Sequence, residues 1–140
     1  MNEILIDVDG SPRGYVAWYN HSTNDSMIRT TRSLPKNIKF GVQRAEMIAI
    51  YYALKDNIEL LASGRISGKK KLYIDVRSDS RSTIEQLQGI SRIRDKKLLV
   101  MFKRIMKLLI RNGLRIVFHY VQRSMNIAGV ILDLQRRGFL

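Results

Sequence analysis

The stretch ILIDVDGS, residues 4–11, alternates apolar and acidic side chains over its second half and ends at a glycine and a serine. Successive side chains of a β-strand point to opposite faces, so this pattern predicts a strand with one apolar face. Asp7 and Asp9, two residues apart, share the other face. Carboxylates packed against a core are unfavourable unless they are paired, hydrogen-bonded or bound to a metal ion. The stretch therefore predicts the first strand of a sheet and raises the question of a metal site.

The residue types limit the chemistry that the chain can perform. Its 140 residues include no Cys and only two His, which excludes disulfides, thiolate chemistry and a structural zinc site. The first ten residues lack the basic start of a signal peptide, and no segment approaches the run of about 20 apolar residues that a membrane span needs. We expect one soluble domain over residues 1–140, located in the cytoplasm and without membrane contact.

The charge of the chain indicates a polyanionic partner. The formal net charge is +13 and the sequence pI is about 10.4. Residues 91–140 contain 12 basic residues against two acidic ones, whereas residues 1–90 are close to balanced. Such a field attracts phosphate backbones independently of their sequence. The charge favours a nucleic acid as partner, and the alternative is a generally basic surface that serves solubility.

The order of predicted elements begins with three antiparallel strands and continues with alternating helices and strands. Hydrophobic periodicity and turn residues predict strands over residues 4–11, 15–19, 27–32, 72–78 and 114–121. The same signals predict helices over residues 42–61, 81–88 and 96–111, and a last helix from residue 125 or 126 to 137. Asp95 is the predicted N-cap of the helix over residues 96–111, whose outward face is rich in Lys and Arg.

Three acidic residues lie at positions where this order of elements can bring them together. Asp9 ends the first strand, Glu46 lies early in the first helix, and Asp79 follows the fourth strand. Converging carboxylates repel one another unless a cation lies between them. Hard oxygen ligands without His or Cys favour Mg²⁺ or Mn²⁺, and a pair of such ions can support hydrolysis of a phosphodiester. A basic protein with an acidic centre thus suggests a nuclease.

Three motifs resemble those of type 1 ribonuclease H. VDGS at residues 8–11 is similar to the first-strand motif of that family, RAEMIAIYYAL at residues 44–54 to its first-helix motif, and SDS at residues 78–80 to its third motif. The resemblance implies an α/β fold (α+β by some schemes), with a five-stranded mixed sheet in which three antiparallel strands precede two further strands and helices lie on both faces. It also implies an endonuclease that hydrolyses the RNA strand of RNA/DNA hybrids with two metal ions, held by Asp9, Glu46 and Asp79.

The fourth motif departs from the family pattern. VQRSMN at residues 121–126 resembles the loop before the last helix, but the last metal-binding Asp of the family falls on Val130. Asp133 lies about one helical turn further and either takes that role or is a solvated helix residue. The flexible-loop His of the family falls near Tyr120, with His119 one residue early. The alternative function is a degenerate domain of this fold that binds nucleic acid or a protein partner without cleaving.

The resemblance and the charge together give a set of predicted nucleic-acid contacts. The turn after the first strand is shorter than in the family, and only one matching amide, Gln43, precedes Glu46, so the expected partner is an RNA/DNA hybrid or another nucleic acid. The predicted contacts are Arg13, Gln43, Arg44, Arg92, Arg94, Lys96, Lys97, Lys103, Arg104, Lys107, Arg123 and Asn126.

Two further acids, Asp7 and Asp75, lie on the same strand faces as Asp9 and Asp79. We interpret them as structural residues outside the metal site. The hypothesis is that they pair with Arg or Lys, with Arg77 and Arg115 as the candidates.

Overall fold

Five strands, five α-helices and one short 3₁₀ turn form the part of the chain that the computed structural model describes, residues 3–66 and 73–140. The strands are β1 (Glu3–Ser11), β2 (Tyr15–Asn20), β3 (Asp25–Thr30), β4 (Tyr73–Ser78) and β5 (Ile116–Tyr120). The helices are α1 (Gly41–Asp56), α2 (Ile58–Ile66), α3 (Arg81–Leu87), α4 (Lys96–Asn112) and α5 (Ile127–Arg136).

The strands form one mixed sheet in the order β3-β2-β1-β4-β5. β1 and β3 are antiparallel to β2, whereas β4 is parallel to both β1 and β5. α1 packs on one face with α4 against it, and α5 lies on the other face over β1 and β2. The predicted five-stranded mixed sheet with helices on both faces is therefore confirmed.

The first helix is shorter than predicted. The sequence predicts one helix over residues 42–61, but α1 ends at Asp56 and α2 begins at Ile58. Asn57 is the cause, because its side-chain amide donates to the Ala53 carbonyl and its Oδ1 accepts from the Asn20 amide, at 2.7 and 3.1 Å. An Asn that bonds to the backbone of the preceding turn ends a helix, and periodicity alone does not reveal this.

The last strand begins two residues later than predicted. Gly113 has φ 62°, and the Leu114 amide donates to the Leu109 carbonyl at 2.9 Å, so these residues close α4 rather than open β5. The predicted start of the fourth strand at residue 72 lies outside the described residues. Asp95 is the N-cap of α4 as predicted, since its carboxylate accepts from the Leu98 amide at 3.0 Å.

A close contact between β1 and α1 determines how the core is built. A Cβ atom on Gly10 would lie 2.2 Å from the Ala45 carbonyl oxygen, so only glycine fits there. The apolar face of β1, which contains Ile6 and Val8, is buried against Met47 and its neighbours on α1. Burial of this apolar area stabilises the fold and fixes α1 across the first strand.

Asp7 is fully buried on the opposite face of β1, and several hydrogen-bond donors surround both oxygens of its carboxylate. Arg77 donates to it through Nε and Nη2 at 2.7 and 3.1 Å, the His21 Nε2 atom lies 2.9 Å away, and the Ile127 amide donates at 2.9 Å. The hypothesis that Asp7 pairs with Arg77 is confirmed. For Asp75 the hypothesis is wrong, because that carboxylate contacts the His119 imidazole on the neighbouring strand.

Within residues 3–66 and 73–140, no helix combines the length and the apolar character that crossing a membrane requires.

Replacing Asp7 by Asn should lower the free energy of unfolding by about 3 kcal/mol, because it leaves the half-buried Arg77 guanidinium without its fully buried counter-charge. Burial raises the pKa of Asp7, but hydrogen bonds from Arg77, His21 and the Ile127 amide outweigh it and lower that pKa overall. The stabilisation is therefore complete above the unfolded pKa of about 3.9 and is lost as the pH falls through the lower folded value. Urea unfolding at pH 7 and at pH 3 measures both effects.

Asp75→Asn is the matched control, because that carboxylate lies on the same sheet face in a more exposed pair with His119. It should cost at most about 1 kcal/mol. Equal losses for the two variants at pH 7 would contradict the role assigned to Asp7.

Candidate active site

Asp9 lies at the carboxyl end of β1, on the face covered by α5, and is 3% exposed. β1 and β4 are parallel, so their carboxyl ends meet at the same edge of the sheet. Asp79 directly follows β4 and therefore reaches this edge as well. Ligands of open α/β sheets bind outside the carboxyl ends of the strands, where these two aspartates meet.

Glu46 approaches from α1 and is oriented by two donors. The Gly10 amide donates to Oε1 at 3.1 Å, and the Ser78 hydroxyl donates to Oε2 at 2.8 Å. Glu46 is 2% exposed, so these two bonds fix its carboxylate in a buried position. The close approach of Gly10 to α1 is what brings the backbone amide within reach.

The structure brings the three predicted acids together. Asp9, Glu46 and Asp79 each offer a carboxylate oxygen, and these atoms lie within 4.8 Å of one another. A cluster of hard oxygen donors of this kind suits Mg²⁺ or Mn²⁺. A Cβ on Gly129 of α5 would lie 3.6 Å from Oδ2 of both Asp9 and Asp79, so the missing side chain leaves space beside the cluster. The donor set and the space fit a divalent cation.

The electrostatics of the cluster favour a cation. Burial raises the pKa of Asp9, and hydrogen bonding to Glu46 and the charge of Arg123 only partly offset this. Burial and the neighbouring Asp9 raise the pKa of Glu46 well above its usual value, and the same two causes raise the pKa of Asp79. The three groups hold protons more tightly than free carboxyls because they are buried beside one another. Cation binding relieves this repulsion.

The position predicted for a fourth acid faces away from the other three. Val130 is 43% exposed, whereas the α5 residue that faces Asp9 and Asp79 is Gly129. Asp133 is four residues after Gly129 and so lies on the same helix face. Its Oδ1 accepts from Arg123 and Arg136, each at 3.4 Å.

The acids line a cleft of about 600 Å³ at the edge of the sheet. Its walls include residues that the sequence analysis did not select, among them Tyr15, Val42 and Arg136. Arg136 lies three residues after Asp133, a helical spacing that could have revealed it. Among the described residues no His lines the cleft: His119 contacts Asp75, and Tyr120 lies under the Arg81 guanidinium, 4.3 Å from its ring centroid.

The predicted nucleic-acid contacts fall into three groups. Arg13 and Arg123 line the cleft, and Gln43 is half-buried on α1. A second group is exposed on α4 and on the segment before it, and consists of Arg92, Arg94, Lys96, Lys97, Lys103, Arg104 and Lys107.

The third group has structural contacts instead. Arg44 donates to Asp95 through Nε and Nη2 at 2.7 and 2.6 Å, so its guanidinium is committed to that carboxylate. Asn126 is fully buried, donates to the Val8 carbonyl at 2.8 Å and accepts from the Gly129 amide as the N-cap of α5. These contacts hold α4 and α5 in place and give Arg44 and Asn126 roles within the fold.

Removing one negative charge from the cluster should stabilise the metal-free protein. The raised pKa of Asp9 means that its ionisation opposes folding above the unfolded pKa of about 3.9, and that this penalty is absent at lower pH. In EDTA at pH 7.5, Asp9→Asn should raise Tm by about 4 °C. The gain should vanish at pH 3.5, and added Mn²⁺ should raise Tm of the unmodified protein more than that of the variant. A lower Tm of the variant in EDTA at pH 7.5 would contradict this account; scanning calorimetry measures it.

Comparisons with known proteins find similarity in three-dimensional structure but not in sequence. No protein-family model matches the chain, and no curated protein sequence matches it. LC11-RNase H1, isolated from compost by a metagenomic approach, matches with a TM-score of 0.69 and 20% identity, over 94% of this chain and 93% of that one. RNase H1 of the halophilic archaeon Halobacterium salinarum NRC-1 matches with a TM-score of 0.68 and 19% identity, over 96% and 98%.

A third structure, the N-terminal RNase H domain of a Mycobacterium tuberculosis protein, matches with a TM-score of 0.68 and 17% identity over the full length of both chains. LC11-RNase H1 has also been solved in complex with an RNA/DNA hybrid, and that structure matches with a TM-score of 0.67 and 20% identity, over 88% of each chain. Sequence identities this low establish the fold alone. The chain therefore has the fold of type 1 ribonuclease H, the family that its three motifs resemble.

Proposed function

We propose that this protein is a metal-dependent endonuclease of the ribonuclease H type that hydrolyses the RNA strand of RNA/DNA hybrids. The observation that carries the proposal is the convergence of Asp9, Glu46 and Asp79, whose ligand oxygens lie within 4.8 Å of one another at the wall of an open cleft. The binding of an RNA/DNA hybrid by LC11-RNase H1, a protein of the same fold, supports the substrate class.

The three carboxylates would hold two ions, Mg²⁺ or Mn²⁺. Asp9, Glu46 and Asp79 would share the ions, since each offers a carboxylate oxygen within 4.8 Å of the others. When bound, the ions supply activation of a water nucleophile and neutralisation of charge at the phosphate. The protein contributes orientation: the Gly10 amide and the Ser78 hydroxyl fix Glu46, and the parallel pairing of β1 with β4 fixes the two aspartates.

Asp133 is our candidate for the fourth carboxylate. Gly129 leaves space above Asp9 and Asp79, and Asp133 extends from the same face of α5 one turn later. The Asp133 side chain is long enough for this role if the metal site lies beside the face of α5 that contains Gly129 and Asp133, rather than beside residue 130. Val130, exposed and turned away, would then have no role in the site.

The surface charges would guide the nucleic acid toward the cleft. Arg13 and Arg136 line the cleft. The exposed Lys and Arg side chains of α4 begin at Lys96, directly after Asp95, which accepts hydrogen bonds from Arg44 on α1. Contacts with phosphates give affinity that does not depend on base sequence and that falls steeply with salt. The basic residues would therefore hold the backbone, while the carboxylates mark the point of hydrolysis.

A second function is favoured by one specific observation. Asp133 lies outside the group of three converging acids and is held by Arg123 and Arg136. If it does not join the site, the domain would bind nucleic acid without cleaving it. Binding of this kind needs no divalent ion and survives substitution of Asp9.

Cleavage of a labelled hybrid in Mn²⁺ or Mg²⁺ separates the two functions. We expect cleavage of the RNA strand by the unmodified protein, and a loss of at least about 100-fold for Asp9→Asn, because the substitution removes a carboxylate that would hold the ions. Asp75→Asn, outside the cleft, is the control and should retain activity. Salt-sensitive hybrid binding with no cleavage by any of the three proteins would instead establish the binding function.

Paired substitutions on α5 test which residue supplies the fourth carboxylate. Asp133→Asn should lower kcat by about 10- to 100-fold, the usual cost of losing a residue that supports a metal site. Val130→Ala should leave kcat unchanged, because that side chain is turned away from the acids. Steady-state kinetics on the hybrid measures both, and a loss confined to the Val130 variant would reverse the assignment.

A further inference from the structure

The Arg123 guanidinium lies between two carboxylates that belong to different elements. Arg123 begins the 3₁₀ turn Arg123–Met125 between β5 and α5. Its Nη1 donates to Asp79 Oδ2 at 3.3 Å and its Nη2 donates to Asp133 Oδ1 at 3.4 Å. One side chain thus joins the end of β4 to the last helix across the mouth of the acidic cluster.

These contacts are much looser than those of the structural ion pair in the same sheet. Arg77 donates to Asp7 at 2.7 and 3.1 Å with 18% of its side chain exposed, whereas the Arg123 side chain is 61% exposed. Bonds near the long end of the hydrogen-bond range from an exposed side chain contribute little and exchange readily with water. Arg123 is therefore free to leave the carboxylates at low cost.

Arg123 also provides the positive charge nearest to the cluster. In the part of the chain that the structure describes, it is the basic side chain within ion-pair distance of Asp79, and Arg136 contacts Asp133 alone. A guanidinium at this position offsets part of the repulsion among the buried acids. A divalent cation would do so more strongly and needs the same carboxylate oxygens.

We propose that Arg123 is an internal cation that competes with divalent metal ions for Asp79 and Asp133 and, once displaced, binds a phosphate of the nucleic acid in the cleft. The second step follows from the surroundings, because a guanidinium released into the cleft meets the anionic backbone of the substrate and can bind it bidentately. The proposal rests on the proposed function in one respect, namely that the cleft receives nucleic acid and metal together. It makes Arg123 a positioning residue that links metal binding to substrate binding.

The two steps predict opposite effects of a single substitution. Without nucleic acid, Arg123→Gln should bind Mn²⁺ about three- to tenfold more tightly, as expected from the loss of two weak ion pairs that compete with the metal. At saturating Mn²⁺, the same variant should show a several-fold higher KM for the hybrid, because it lacks the phosphate contact. A purely structural role for Arg123 would weaken both metal and substrate binding.

Isothermal titration with Mn²⁺ in the absence of nucleic acid is the decisive measurement. Arg13→Gln is the matched control, since it removes one positive charge from the cleft without removing a contact to Asp79 or Asp133. Arg136→Gln removes a contact to Asp133 but none to Asp79. Both variants should tighten Mn²⁺ binding less than Arg123→Gln does. Arg123→Lys, which keeps the charge but not the two-pronged contact, should fall between the Gln variant and the unmodified protein.

Each result decides the proposal. Unchanged or weaker Mn²⁺ binding by Arg123→Gln, or an equal gain in all three Gln variants, would overturn it while the proposed nuclease function remained standing. Absence of Mn²⁺ binding by every protein would overturn both. Because the Arg123 side chain is largely exposed, the variants should fold, and an unchanged circular-dichroism spectrum in EDTA would verify this.

Discussion

The absence of a side chain at Gly10 is the constraint on which the site depends. The backbone of β1 touches the backbone of α1 at this point, where any Cβ would meet the Ala45 carbonyl at 2.2 Å. The same close contact places the Gly10 amide 3.1 Å from Glu46 Oε1, where it donates a hydrogen bond that orients the carboxylate. Glycine is needed here for closeness rather than for an unusual backbone angle. Core packing and the positioning of the carboxylates are thus one structural feature.

Asp7 and Asp9 show how neighbouring positions of one strand acquire opposite chemistry. Both are buried on the same face, yet the pKa of Asp7 is lowered and that of Asp9 is raised. Burial acts in the same direction on both, so the difference comes from their partners. Asp7 receives bonds from Arg77, His21 and a backbone amide, whereas Asp9 faces other carboxylates. Asp7 is therefore a structural anion, whereas the ionised form of Asp9 is one that a bound cation would stabilise.

The sequence predicted the sheet and the three converging acids because both depend on local signals. Alternation marks the strands, and short motifs mark the ends of β1 and β4. Features that depend on tertiary contact were missed. The helix break at Asn57 comes from a bond to Asn20 on another element, and the structural roles of Arg44 and Asn126 come from partners more than 50 residues away. The face of α5 toward the acids was also set by packing, which places Gly129 rather than residue 130 beside them.

The Arg44–Asp95 pair connects the charge of the surface to the acidic site. Asp95 both caps α4, through the Leu98 amide, and accepts two bonds from Arg44, which lies two residues before Glu46 on α1. The start of α4 is therefore fixed relative to the carboxylates, and so are the exposed lysines that follow Asp95. Surface charge on a flexible segment would attract a polyanion without aligning it. Charge on a helix tied to the helix of Glu46 has a defined distance from the acids, so a polyanion bound along α4 would lie in a fixed position relative to them.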